Sequence, residues 1–195
     1  MIGIINYGAG NLFSLKCALE RIGTDFCMIS TPEEFAKADK YIIPGVGHAG
    51  TAMQKLNSTD LVPLLRATDK PLLGICLGMQ LLTEYSEEGN CGLLSMVPLN
   101  TKLFREKVTK VPQMGWNTVT YVNNHPLFKG ILNESYFYFV HSYFVEYNDE
   151  YTIGKTEYGI EYSSAIQKEN YMGVQFHPEK SGKAGEQLLA NFAGL

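Results

Sequence analysis

The chain has 195 residues, 45% of them hydrophobic and 18% charged, and a formal net charge of −4. That is enough apolar material for a folded core, and the length predicts one domain, residues 1–195, with room for one active site. No basic run offers a footprint for nucleic acid, and no stretch approaches the ~18 apolar residues of a membrane helix.

Met1-Ile2-Gly3-Ile4-Ile5-Asn6 lacks a basic n-region, so it reads as a strand and not a signal peptide. The strand is expected over Gly3 to Asn6, followed by the turn Gly8-Ala9-Gly10-Asn11. Leu12, Leu15, Ala18, Leu19 and Ile22 recur at helical spacing, and Gly23 supplies a stop. Asp25 to Ser30 reads as a second strand. Thr31-Pro32-Glu33-Glu34 is a capping box with proline at the first helical position. Lys40 to Ile43 reads as a third strand that ends in the loop Pro44-Gly45-Val46-Gly47. Helices are expected from about Ala49 to Leu56 and Leu61 to Ala67, then a strand over Pro71 to Ile75 and a helix over Leu77 to Tyr85.

After about residue 92 the rhythm changes. Tyr136 to Val145, Tyr151 to Thr156, Ile160 to Gln167 and Tyr171 to Phe176 read as closely spaced strands, with a hairpin signal at Glu169-Asn170. A last helix is expected from Lys183 to Phe192. The fold class is therefore α/β: an open, mainly parallel sheet with helices on both faces and added antiparallel strands in the second half.

The cysteines are Cys17, Cys27, Cys76 and Cys91, with no C-x-x-C pair and no zinc spacing to the histidines. They read as reduced thiols of a cytoplasmic protein, three of them as ordinary buried small residues. Gly8-Ala9-Gly10 invites a dinucleotide reading, but Phe13 stands where the next glycine is required, and Ser30-Thr31 where an acid should bind ribose.

Gly74-Ile75-Cys76-Leu77-Gly78 is more specific. An apolar strand, a turn and a helix are the setting of a nucleophile elbow, here with cysteine in place of serine. Flanking glycines relieve clashes in the strained turn. A helix N-terminus favours thiolate, and the Leu77 N–H points where an oxyanion would form. His177-Pro178-Glu179 comes after another apolar strand. Residues two apart in extended chain share a face, so His177 can serve Cys76 as general base while Glu179 orients the imidazole. The Val46 N–H of Pro44-Gly45-Val46-Gly47 is the expected second oxyanion donor, and the neighbouring His48 reads as a loop histidine.

Gly74-Ile75-Cys76-Leu77-Gly78-Met79-Gln80 with His177-Pro178-Glu179 resembles the class I glutamine amidotransferases, which release ammonia from glutamine through a cysteine thioester. Tyr7-Gly8-Ala9-Gly10-Asn11-Leu12, Pro112-Gln113-Met114-Gly115-Trp116-Asn117, Tyr138-Phe139-Val140-His141-Ser142-Tyr143 and His177-Pro178-Glu179-Lys180-Ser181 narrow this. They resemble the family of glutaminase subunits of imidazole glycerol phosphate synthase, from histidine biosynthesis. The resemblance runs from the first strand to the last helix and implies a flavodoxin-like sheet.

It also implies roles. Cys76 would be the nucleophile, His177 the acid/base and Glu179 its orienting carboxylate. Gly47, Gln80, Ser142 and Tyr143 would line the glutamine pocket, with Glu88 facing the substrate ammonium. Asn11, Trp116, Tyr138 and Lys180 would meet the partner, a (β/α)₈-barrel cyclase subunit that receives the ammonia through a tunnel. No metal or organic cofactor is implied. Asn6 stands where an acid is frequent in the family. Two alternatives stay open: a paralogous glutaminase serving nucleotide-sugar modification or vitamin B6 synthesis, and a silent module that only docks a partner.

Overall fold

The computed structural model describes residues 1–8, 10–105, 110–122 and 124–195. Ala9 of the Tyr7–Leu12 motif lies outside them. In chain order the first half gives β1 (Ile2–Ile5), α1 (Leu12–Arg21), β2 (Phe26–Ile29), α2 (Pro32–Phe35), β3 (Lys40–Gly45), α3 (Ala49–Asn57), α4 (Leu61–Ala67), β4 (Leu72–Cys76) and α5 (Leu77–Leu81). The second half gives β5 (Tyr85–Ser86), β6 (Cys91–Gly92), β7 (Asn100–Leu103), β8 (Gln113–Tyr121), β9 (Ser135–His141) and β10 (Tyr143–Val145). β11 (Thr152–Glu157), β12 (Glu161–Lys168), β13 (Tyr171–Val174) and α6 (Gly182–Gly194) complete it.

The sheet runs β2-β1-β3-β4-β13-β12-β10-β7-β5-β6. From β2 to β13 every neighbouring pair is parallel. These strands are apolar almost throughout because they are covered on both faces. One face packs Leu15, Leu19, Leu188, Leu189 and Phe192 of α1 and α6. The other packs Met53, Leu56, Leu61, Leu65 and Leu81 of α3, α4 and α5. From β13 onward the main run continues antiparallel through β12, β10 and β7. The ribbon β8–β9 is attached through β11. The observed sheet is open and mixed: a parallel flavodoxin-like half carrying an antiparallel extension.

Several boundaries differ from expectation for identifiable reasons. Pro44 and Gly45 belong to β3 and not to the loop after it, because Gly45 still pairs in register with Cys76. A Cβ on Gly45 would stand 2.6 Å from the Gly78 nitrogen, so this close approach needs glycine. The helix after Cys76 stops at Leu81 and does not reach Tyr85. Thr83 turns its hydroxyl back onto the Gln80 carbonyl, and the Glu84 N–H is taken by Leu99 O. The aromatic run 136–145 is two strands broken at Ser142: β9 pairs with β8, β10 with β7 and β12. No strand is expected from the residues of β8, whose glycine and amide side chains mask a period of two. The capping box at Thr31 is formed, with Glu34 N donating to Thr31 Oγ1 and Thr31 N to Glu34 Oε2. Glu169-Asn170 makes the two-residue turn between β12 and β13, with Glu169 at φ +53°.

Cys17, Cys27 and Cys91 are half-buried and not buried as expected, while Cys76 is buried; all four are free thiols. Among the described residues no helix is long and apolar enough to cross a membrane.

Candidate active site

β4 ends at Cys76 and α5 begins at the next residue, so the chain must turn within one residue. Cys76 makes that turn at φ +54°, the left-handed region that L-residues avoid. The turn is held by close packing on glycine. A Cβ on Gly78 would lie 1.9 Å from Ile43 O, and one on Gly74 would lie 2.4 Å from Gly78 O. A strained nonglycine residue clamped this tightly marks a place where side-chain direction matters.

β13 lies parallel beside β4, with Val174 opposite Ile75. Both strands therefore deliver their succeeding residues to the same edge of the sheet, the C-terminal edge where open α/β sheets bind ligands. Pro178-Glu179-Lys180 forms a single 3-10 turn after His177. His177 N donates to Tyr138 O at 2.9 Å, and Ser181 Oγ donates to His177 O at 2.6 Å. His177 Nδ1 and Glu179 Oε1 are 2.7 Å apart, with side chains 2% and 4% exposed. Because the carboxylate only accepts, Nδ1 carries the proton, and Nε2 faces the sulfur side.

Nε2 forms no completed hydrogen bond, yet the Cys76 sulfur acts on it. Burial pushes the His177 imidazolium down. The Cys76 sulfur and the Glu179 carboxylate outweigh burial and raise it to about 10. His141 shows the reverse balance. Burial outweighs its hydrogen bond to Tyr143 O and lowers it to about 4, with His177 adding in the same direction, so it is neutral at pH 7. Its Nδ1 donates to Tyr143 O at 2.8 Å.

Cys76 and His177 open on a cavity of about 310 Å³, whose wall also contains Val46, Gly47, Leu77, Gln80, Glu88, Ser142 and Tyr143. The expected nucleophile, base, oxyanion loop and pocket residues thus meet in one place, with Glu179 behind His177. Val46 and Gly47 are exposed, and Gly47 stands at φ +103° with nothing within 4 Å of where a Cβ would be. The loop's base is fixed: Tyr7 OH donates to Pro44 O at 2.8 Å. Glu88 Oε2 accepts the Ala49 N–H at 2.6 Å, at the start of α3, which orients the carboxylate on the cavity wall. His48, the N-cap of α3, is exposed and absent from that wall.

Trp116 and Tyr138 are register partners in the β8–β9 ribbon, edge to face at 6.1 Å. The Lys180 ammonium lies 5.8 Å from the Tyr138 ring centre. Trp116 is 57% exposed, and Met114 and Tyr136 beside it are 64% and 61% exposed. The ribbon so presents an apolar, aromatic face to solvent. Asn11 makes none of these contacts. It caps α1 and lines a narrow void of about 10 Å³ that also touches His177 and Glu179. Sequence reasoning gives Gln175 and His141 no role. Each is a buried polar side chain at the end of a largely apolar run, which is the signal that could have found them.

The family model described as "Glutamine amidotransferase class-I" matches residues 4–194, and the chain belongs to that family. A solved glutamine amidotransferase shares the fold at TM-score 0.77 and 16% identity, covering 100% of this chain and 99% of its own. "Imidazole glycerol phosphate synthase subunit HisH" of Haemophilus influenzae (strain ATCC 51907 / DSM 11121 / KW20 / Rd) is 48% identical, over 98% of this chain and 96% of the relative. The subunit of the same name from Pasteurella multocida (strain Pm70) is 47% identical over the same shares. Within the class I amidotransferases, the chain belongs to the HisH subunits.

Proposed function

We propose that this chain is the glutaminase subunit of an imidazole glycerol phosphate synthase in the histidine pathway, and that it hydrolyses glutamine and passes ammonia to a (β/α)₈-barrel cyclase subunit in the cytoplasm. The observation that carries the reading is the junction of the strained Cys76 elbow with the buried His177–Glu179 pair on one cavity. The HisH relatives supply the pathway.

Against burial, the Cys76 sulfur and the Glu179 carboxylate favour protonated His177, which takes the Cys76 proton onto Nε2 as attack begins. The thiolate attacks the side-chain amide carbon of glutamine. The resulting oxyanion is held by the Leu77 and Val46 N–H groups. His177 gives its Nε2 proton to the departing nitrogen as the C–N bond breaks, releasing ammonia and leaving a thioester. A water then attacks that carbon, His177 takes its proton, and the C–S bond breaks to release glutamate. Glu179 keeps the imidazole in the tautomer that both steps need. Glu88, Ser142 and Tyr143 hold the amino-acid end of the substrate.

The exposed glycine at position 47 gives the oxyanion loop freedom to rearrange, so the isolated chain should hydrolyse glutamine weakly and gain activity when partner and its ligand bind. The Trp116–Tyr138–Lys180 patch, together with Asn11, is the surface assigned to that partner. The test is co-purification with candidate barrel subunits, then an ammonia-transfer assay on the acceptor of each. Coupled turnover with the histidine-pathway cyclase is expected. Full turnover by the chain alone, unchanged on adding any barrel, would overturn the coupling.

A further inference from the structure

The Cys76 sulfur has two polar neighbours that the hydrolytic steps leave unused. Val140 O lies 3.9 Å away, and Gln175 Nε2 lies 3.6 Å away. They favour opposite forms of the sulfur. A carbonyl oxygen only accepts, so it favours S–H. An amide N–H donates, so it favours thiolate. Gln175 comes directly after Val174, the register partner of Ile75, so it stands across the β4–β13 pair from Cys76, and it is wholly buried.

Which end of the Gln175 amide meets the sulfur is decided by a chain of bonds anchored on backbone. The Tyr143 carbonyl can only accept, and Gln80 Nε2 donates to it at 2.9 Å. The same Gln80 NH₂ donates to Gln175 Oε1 at 3.0 Å. The oxygen of Gln175 is thereby committed to Gln80, and its NH₂ is left for the sulfur. Flipping either amide would set acceptor against acceptor or donor against donor. Gln175 is wholly buried, so water offers its amide no other partner.

We propose that Gln175 is a positioning residue for the nucleophile, donating its amide N–H to the Cys76 thiolate, with Gln80 and the Tyr143 carbonyl holding that donor in place. This rests on the reading of Cys76 as nucleophile. His177 and Gln175 then bracket the sulfur and leave its remaining lone pair for the cavity. Gln80 becomes a structural link between the pocket wall at Tyr143 and the nucleophile, whatever else its Oε1 touches.

The test is the pH dependence of iodoacetamide alkylation of Cys76 in the full chain, read by peptide mass. The other titratable groups about the site are His177 with Glu179 behind it, His141, Tyr7, Tyr162 and Glu88, and none is altered. Gln175→Leu should move the alkylation midpoint up by about one pH unit, roughly tenfold slower labelling on its acid side. Gln175→Glu, which keeps the volume but sets a carboxylate on the sulfur, should move it further. Gln80→Leu should give a smaller upward shift. Gln175 does not line the cavity, so in Gln175→Leu glutamine KM should change little while kcat falls. A midpoint in Gln175→Leu equal to that of the unaltered chain overturns the proposal. Should that variant not fold, an unshifted midpoint in Gln175→Glu overturns it equally. Failure of Cys76 to label in the unaltered chain is a different result: it removes the nucleophile assignment itself.

Discussion

His177 Nδ1 and Glu179 Oε1 are joined at 2.7 Å by two side chains with almost no solvent exposure, and the residue between them is a proline. The short spacing works because the 3-10 turn folds Glu179 back under the imidazole. Glu179→Gln keeps the shape, but its amide can donate to Nδ1 and so favour the wrong tautomer. Glutamine hydrolysis by the partner-activated enzyme should fall on the order of 10³-fold or more. Steady-state rates with an ammonia-detecting assay give the answer. A loss under tenfold would show that Glu179 does not set the tautomer.

The charge state of His177 should be visible directly. Its imidazole should titrate near 10 by NMR in the unaltered chain, and well below that in Cys76→Ala, which removes the sulfur that opposes burial. The same shift has a definite sign for stability. A folded-state value raised above the ordinary 6.5 means that protonated His177 stabilises the fold fully below about pH 6.5, and that this contribution is lost as pH rises through about 10. Denaturant midpoints should therefore decline over that window in the unaltered chain and decline less in Cys76→Ala. Equal slopes in the two proteins would contradict the coupling.

The two glycines that flank chemistry should fail differently. Gly78→Ala drives a methyl to 1.9 Å from Ile43 O, a backbone atom that cannot step aside. It should cost about 3 kcal/mol or more in folding free energy and lower the melting temperature. Gly47→Ala meets nothing within 4 Å, but φ +103° is strained for alanine. It should cost about 1–3 kcal/mol or relax the loop, so that glutaminase activity falls more than stability does. Calorimetry beside activity assays distinguishes them. Parallel losses in both variants would mean that the 46–47 loop has no catalytic part.

Much of this site was legible as sequence because its signals are local. The elbow needs small residues at Gly74 and Gly78, and His177 and Glu179 sit two apart, although a 3-10 turn and not extended chain is what brings them together. The parallel half was legible because buried strands are apolar runs. The hidden features depend on contacts between distant segments. Pro44-Gly45 reads as a loop until the Gly45–Cys76 pairing extends β3. α5 reads longer than it is until Leu99 captures the Glu84 N–H. Gln175 reads as one polar residue in a strand until parallel pairing sets it against the sulfur. The break at Ser142, which turns one aromatic run into two strands with different neighbours, has no local breaker at all.

The docking role proposed for Trp116 can be tested apart from chemistry. A lone tryptophan in a chain this size is easily taken for core, yet it is 57% exposed, edge to face with Tyr138 on an otherwise open ribbon. An aromatic ring left in water on its own fold is well suited to anchor an interface. Trp116→Ala should leave the melting temperature and the basal glutaminase rate of the isolated chain nearly unchanged. It should weaken binding to the cyclase subunit by about 2 kcal/mol, roughly thirtyfold in Kd. The Lys180 ammonium over Tyr138 belongs to the same patch, so Lys180→Ala should add to the loss by less than the sum of the single effects. Titration calorimetry of the purified subunits measures both. Unchanged affinity in Trp116→Ala would move the interface off this ribbon and leave the aromatic face to another partner.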